Sequence, residues 1–243
     1  VINIMPLPKI ATPTYELVLP SSDRKIKYRP FLVKEEKILI IAMESEDQKQ
    51  ITNAIKSVIN NCILTRGIKV DKLSTFDIEY LFLNIRGKSV GENVEVLITC
   101  PDDEKTQVPV MIPLDEIKVQ KHPDHNKDIK LDDNLVLRMK YPSLSEFIKS
   151  NFDLTGNIGV EESFDLIISC IDQIYNEEES WTSADCTKKE MVEFLDQLNS
   201  KQFKEIENFF DTMPKLSHTV KVTNPETKVK SDIVLEGLSS FFE

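Results

Sequence analysis

The sequence predicts an α+β protein: N-terminal helices with β-hairpins, followed by a C-terminal helical bundle closed by a degenerate zinc-ribbon-like hairpin. Apolar residues switch, in blocks, between strict alternation and helical spacing along the chain. Two of the alternating blocks carry related steps at their turns, Thr99-Cys100-Pro101-Asp102 and Thr223-Asn224-Pro225-Glu226, and helical stripes fill the stretch between them. The 243 residues are 40% hydrophobic and 29% charged, the balance of an ordinary globular chain with room for a sizeable core.

Residues 1–13 hold Pro6, Pro8 and Pro13 with little periodicity and read as an extended arm that orders against a partner. "YELVLP", a Ser-Ser-Asp turn and "KIKYRPF" make a first hairpin. "LVKEEKILIIAMES" is a helical pattern. Ile51, Ile55, Val58 and Cys62 then recur on one face of a second helix, giving a paired helical layer. "LSTFD" starts a third helix, with Ser74 as N-cap and Asp77 in capping-box position, which runs through "IEYLFLNIR" to a stop at Gly87. Its face of Ile78, Leu81, Phe82 and Ile85 is expected in the core.

After Gly91 the period becomes two. "VEVLITC" and "TQVPVMIPL" form a second hairpin, and "NLVLRMKYP" is a further strand. From Ser143 helical stripes return: "SLSEFIKSNF"; Phe164, Ile167, Ile168, Ile171 and Ile174; Met191, Phe194, Leu195 and Leu198; Phe203, Ile206, Phe209 and Phe210, ended by Pro214. A last pair of alternating segments surrounds Pro225. The expected division is an arm (1–13), an α+β domain with the ribbon-like hairpin (14–142), and a helical region with the C-terminal hairpin (143–243).

A formal charge of −11 repels nucleic acid and anionic lipid, because no basic run is segregated against it. The longest apolar stretch, in "KILIIAM", is too short to span a bilayer, and no signal-peptide pattern opens the sequence. Four dispersed cysteines fit a reducing compartment, so a cytoplasmic protein is expected, with neither nucleic acid nor membrane as a partner. Cys62 and Cys170 read as small core residues.

A closed zinc site needs four Cys or His ligands in two short-spaced pairs. The first hairpin supplies Cys100 but has Asp103 where the second thiolate would stand, and the last has Asn224 and Thr227 in place of both. The expectation is a ribbon-like hairpin that closes with no metal and no cofactor. The alternative is a small zinc-binding interaction module that uses Cys100, His122 and His125 with a carboxylate as the fourth ligand. "RGKSVGE" imitates the end of a phosphate loop, but Phe82 stands where the motif needs glycine and the segment closes a helix instead of opening one. No Gly-x-Ser-x-Gly elbow, His-Glu-x-x-His helix, EF-hand loop or Rossmann glycine run is present, so no catalytic residue is assigned. Candidate partner contacts are Leu7, Pro8 and Ile10 in the arm, Trp181 in the polar linker "NEEESWTSADC", and Leu238, Phe241 and Phe242 in "GLSSFFE". The plainer reading is that these residues cap the core.

"LPKIATPTYELVLPSS", "YRPFLVKEEKILIIAMES", "FDIEYLFLNIRGKSVGENVEV" and "LEGLSSFF" make the chain similar to the baseplate hub assembly family of T4-like contractile-tailed bacteriophages. The resemblance covers most of the chain and is more specific in its N-terminal half. Related proteins often carry cysteine pairs in the two hairpins, and Asp103, Asn224 and Thr227 depart from that pattern. The resemblance implies a non-enzymatic viral protein acting in formation of the central hub of the tail baseplate, as hub subunit or assembly factor. Its partners would be other hub or tail proteins, with self-association left open. Its place would be the infected host's cytoplasm during assembly, with the virion tail baseplate as the further option.

Overall fold

The computed structural model of the chain describes residues 10–45, 47–144, 160–237 and 240, with only the backbone at 48 and 160–162. Three buried clusters organise it. Strands β1 (Tyr15–Val18) and β2 (Lys25–Tyr28) form the first hairpin, with Tyr15 opposite Tyr28. Helices α1 (Val33–Glu44) and α2 (Gln48–Cys62) are the paired layer that the periodicity predicts. The Asp47 carboxylate starts α2 by accepting from the N–H groups of Lys49 and Gln50. Helix α3 (Thr75–Ser89) turns Ile78, Leu81, Phe82 and Ile85 inward against Leu17, Ile26, Val58 and Cys62.

The ends of α3 differ from expectation. Ser74 takes the N-cap backbone position without a side-chain capping bond. Asp77, buried, instead accepts from the N–H of Ser21 at 3.1 Å and from its hydroxyl, tying the first hairpin turn to the helix. Gly87 does not stop the helix, which continues to Ser89 and breaks before Gly91, at φ 151. A Cβ at Gly87 would stand 3.1 Å from Leu114 Cδ1, so glycine serves close packing there. The Gly-Lys-Ser segment is therefore the last helical turn.

Strands β3 (Asn93–Thr99) and β4 (Gln107–Pro113) pair antiparallel, from Asn93 opposite Pro113 to Thr99 opposite Gln107. A three-stranded sheet, in the order β11-β10-β5, joins β5 (Lys118–Gln120) to the hairpin of β10 (Lys215–Thr223) and β11 (Lys230–Glu236). Val94, Val96, Ile98 and Ile112 from one hairpin, Leu216, Val220 and Val222 from the other, and Leu83 from α3 bury one another.

The third cluster corrects the expected C-terminal helical bundle. Its base is an antiparallel sheet in the order β6-β7-β8-β9: Asp128–Lys130, Val136–Met139, Ile171–Tyr175 and Ser180–Thr182. Three helices accompany it among the described residues of this region: α4 (Val160–Cys170), α5 (Lys188–Asp196) and α6 (Ser200–Thr212). Ile171 and Ile174, read as a continuation of the helix, form a strand. A register shift at Arg138/Met139 pairs Met139 with Ile171 but Arg138 with Gln173, so Asp172 is the extra residue of a bulge. Both isoleucines, three apart, thus face the core and imitate helical spacing. Trp181 lies on β9 opposite Ile174 and not in a linker, and α5 ends two residues before Leu198. The proposed helix "SLSEFIKSNF" lies outside the described residues beyond Leu144, which is buried in the first cluster.

Candidate functional site

The turns that follow β3 and β10 open in the same way, although the first is one residue longer. Cys100 N–H donates to Thr106 O at 2.8 Å and Glu104 N–H to Cys100 O at 2.9 Å. In the second turn Asn224 N–H donates to Val229 O at 2.9 Å and Lys228 N–H to Asn224 O at 3.0 Å. Glu104 and Lys228, each four residues past the equivalent position, take left-handed backbone at φ 55 and 64. The similarity of Thr-Cys-Pro-Asp to Thr-Asn-Pro-Glu is therefore a similarity of structure.

The two turns meet. Buried Asn224 donates through Nδ2 to Asp102 Oδ1 at 3.2 Å, Asp102 Oδ2 at 3.0 Å and Asp103 Oδ2 at 3.0 Å. Its own Oδ1 accepts from Glu226 N–H at 2.9 Å and Thr227 N–H at 3.3 Å, so the amide is used at both ends. Thr227 donates its hydroxyl to Asp102 Oδ2. Asp103 Oδ1 accepts from the N–H groups of Lys105 at 3.1 Å and Thr106 at 3.0 Å, and its Oδ2 from the Thr106 hydroxyl.

Among the described residues these two adjacent carboxylates make no ion pair and are held by a set of hydrogen-bond donors. The Thr106 hydroxyl and N–H, with Lys105 and Asn224, hold Asp103 well below the usual carboxylate range. Thr227, with Asn224, lowers the pKa of Asp102. Burial, reinforced by these two carboxylates, pushes the Cys100 thiol up, so it stays protonated near neutral pH. The arrangement is suited to stapling two hairpins and not to moving protons at pH 7.

Asn224→Ala leaves the Asp102 and Asp103 oxygens without their shared donor and is expected to cost about 2 kcal/mol. Urea melts at pH 7 measure it. Because both folded pKa values lie below the unfolded ones, the cluster's contribution is present above the ordinary Asp range and fades as pH falls below about 4. The gap between wild type and Asn224→Ala therefore narrows on acidification.

The remaining candidates among the described residues make no bond to this cluster. His125 is held by Thr212 Oγ1 at 3.0 Å and Tyr141 OH at 3.1 Å, one on each ring nitrogen, and lies against Phe209. Burial and Lys127 lower its pKa. His122 is exposed and accepts from Asp124 N–H through Nδ1. No group of three or more His, Cys, Asp or Glu placed for a metal ion occurs among the described residues. Ile10 is 92% exposed. Trp181, 38% exposed, borders an apolar pocket of about 370 Å³ with Ile174, Cys186, Met191 and Phe194. Leu7, Pro8, Leu238, Phe241 and Phe242 lie outside the described residues. Asp102 and Thr106 are cluster residues that the sequence did not single out, although the adjacent acids of "CPDDE" in a short turn were a signal for Asp102.

Residues 12–243 match the model of a family described as T4 bacteriophage base plate protein. No curated protein and no solved structure matches the chain.

Proposed function

Since the chain belongs to the T4 bacteriophage base plate protein family, we propose that it is a non-enzymatic protein acting in formation of the central hub of the contractile-tail baseplate, as a subunit or as an assembly factor. The family match over residues 12–243 carries this reading. The two facing turns support a companion reading, in which the ribbon closes without zinc through hydrogen bonds in place of a metal's four bonds. The protein works among other hub or tail proteins, in the infected host's cytoplasm while the tail is built. Its arm (residues 1–13) and the region 143–243 make the contacts, with 14–142 as the folded support. An arm that orders on binding spans a wide surface at modest affinity, which suits an assembly step.

Deleting residues 1–12, or changing Phe241 and Phe242 together to Ala, is expected to leave the protein folded and to block hub formation in infected cells. Co-purification of the intact chain with hub components is the measurement. If both variants assemble hubs at normal yield, the ends are not the contact sites. If the intact chain brings down no hub component, the assembly reading fails. Its copy number in purified particles separates a resident subunit from a factor that leaves.

A further inference from the structure

Helix α1 buries little of itself. Glu35 and Ala42 are buried and Leu39 is half-buried, a narrow inward stripe at i, i+4 and i+7. The opposite face is exposed and carries Val33, Lys37, Ile40 and Glu44, with Ile41 beside Ile40. Their spacing of four, three and four is that of a helix-pairing seam. Val33 is 65% exposed, Ile40 50% and Ile41 66%, a concentration of β-branched apolar surface on one helix that a monomer rarely presents.

The charges on this face identify the occupant. The basic residue of the seam lies toward the N-terminal end and the acidic one toward the C-terminal end, two helical turns apart. A second helix of the same sequence, laid antiparallel about a two-fold axis between Ile40 and Ile41, puts Ile40 against Ile41 at the centre. The same operation sets Lys37 of each copy opposite Glu44 of the other, at both ends. A parallel pairing would instead stack Lys37 on Lys37 and Glu44 on Glu44. Antiparallel pairing also opposes the two helix dipoles favourably. A two-fold interface must be complementary to itself in this way, with residue i meeting j and j meeting i.

We propose that the outer face of α1 is a self-association surface, through which two copies of this chain pair antiparallel about Ile40 and Ile41. The ion pairs that α1 side chains make among the described residues are those of Glu35, with Arg29 and Lys34, so Lys37 and Glu44 are available to a second copy. Polar residues within an apolar seam fix its register, because any other alignment leaves them unmatched.

The test is sedentation equilibrium of the full chain at about 0.15 M salt, where the formal charge of −11 on each copy is screened beyond about 8 Å. Wild type is expected to dimerise reversibly, and Ile40→Lys with Ile41→Lys to be monomeric with unchanged circular dichroism. Lys37→Glu alone, or Glu44→Lys alone, sets like charges at both ends and raises the dimer Kd about tenfold or more. Lys37→Glu combined with Glu44→Lys recreates the pairs in reverse and returns the Kd to near the wild-type value. A wild-type chain that stays monomeric up to about 100 μM overturns the proposal. So does a dimer that the double charge reversal fails to restore, because that dimer uses another face or another register.

Discussion

Truncating Phe82 to alanine is expected to destabilise the protein by about 3–5 kcal/mol, the cost of deleting an aromatic ring from a packed core. Phe82 is buried on α3 among Ile78, Leu81 and Ile85, and this face is covered by the first hairpin and by α2. The surrounding groups come from three different elements, so they cannot collapse together into the space left behind. For a chain of this size the loss lowers the melting temperature by roughly 6–20 °C. Urea and thermal melts followed by circular dichroism check it. An unchanged melt with weakened partner binding would reassign the face to an interface.

Arg29→Ala is expected to cost as much for a different reason. Glu35 is fully buried and its carboxylate is bonded by Arg29 Nη2 at 3.0 Å and Nη1 at 3.4 Å, with Leu32 N–H at 2.9 Å. Burial by itself would push Glu35 up, but the Arg29 bond, Leu32 N–H and the Arg29 and Lys34 charges outweigh it and hold the carboxyl below its usual range. Removing the guanidinium leaves the buried carboxylate only Leu32 N–H and the ammonium of the exposed Lys34, too little to offset its burial, a loss of about 3–5 kcal/mol. In the variant the folded pKa of Glu35 rises above the unfolded one. Its stability is therefore best below the ordinary Glu range and declines as pH rises through the new folded value. The wild type has the opposite slope, so the deficit is larger at pH 7 than at pH 5. Arg29→Met with Glu35→Leu removes both charges and is expected to recover most of the loss. A double variant no better than Arg29→Ala would show that packing, not charge, is at stake.

Local pattern carried much of this architecture. The first two hairpins, α2 and the buried face of α3 follow directly from their periods, since each is half-buried and its neighbours in sequence decide its faces. Pattern misled where tertiary packing altered the period. The bulge at Asp172 let strand isoleucines keep a helical spacing, and Gly87 looked like a stop because its contact with Leu114 is invisible in one dimension. The likeness of the Cys100 and Asn224 turns was legible, but their meeting was not, because it joins residues 122 apart. Nor could the run "KILIIAM" announce its outer face: apolar residues occupy both sides of that helix, and exposure is decided by what the rest of the chain leaves uncovered.

The joining of the two turns also sets an order of events on the ribosome. The β3–β4 hairpin can zip as soon as it emerges, since its strands are separated only by a short turn. Its inward residues Val94, Val96, Ile98 and Ile112 then wait for Leu216, Val220 and Val222, synthesised about a hundred residues later. During that interval the nascent chain presents a sticky sheet face that Leu83 of α3 covers only in part. A translation product halted before β10 would keep that face permanently and be prone to aggregate, to chaperone capture or to degradation.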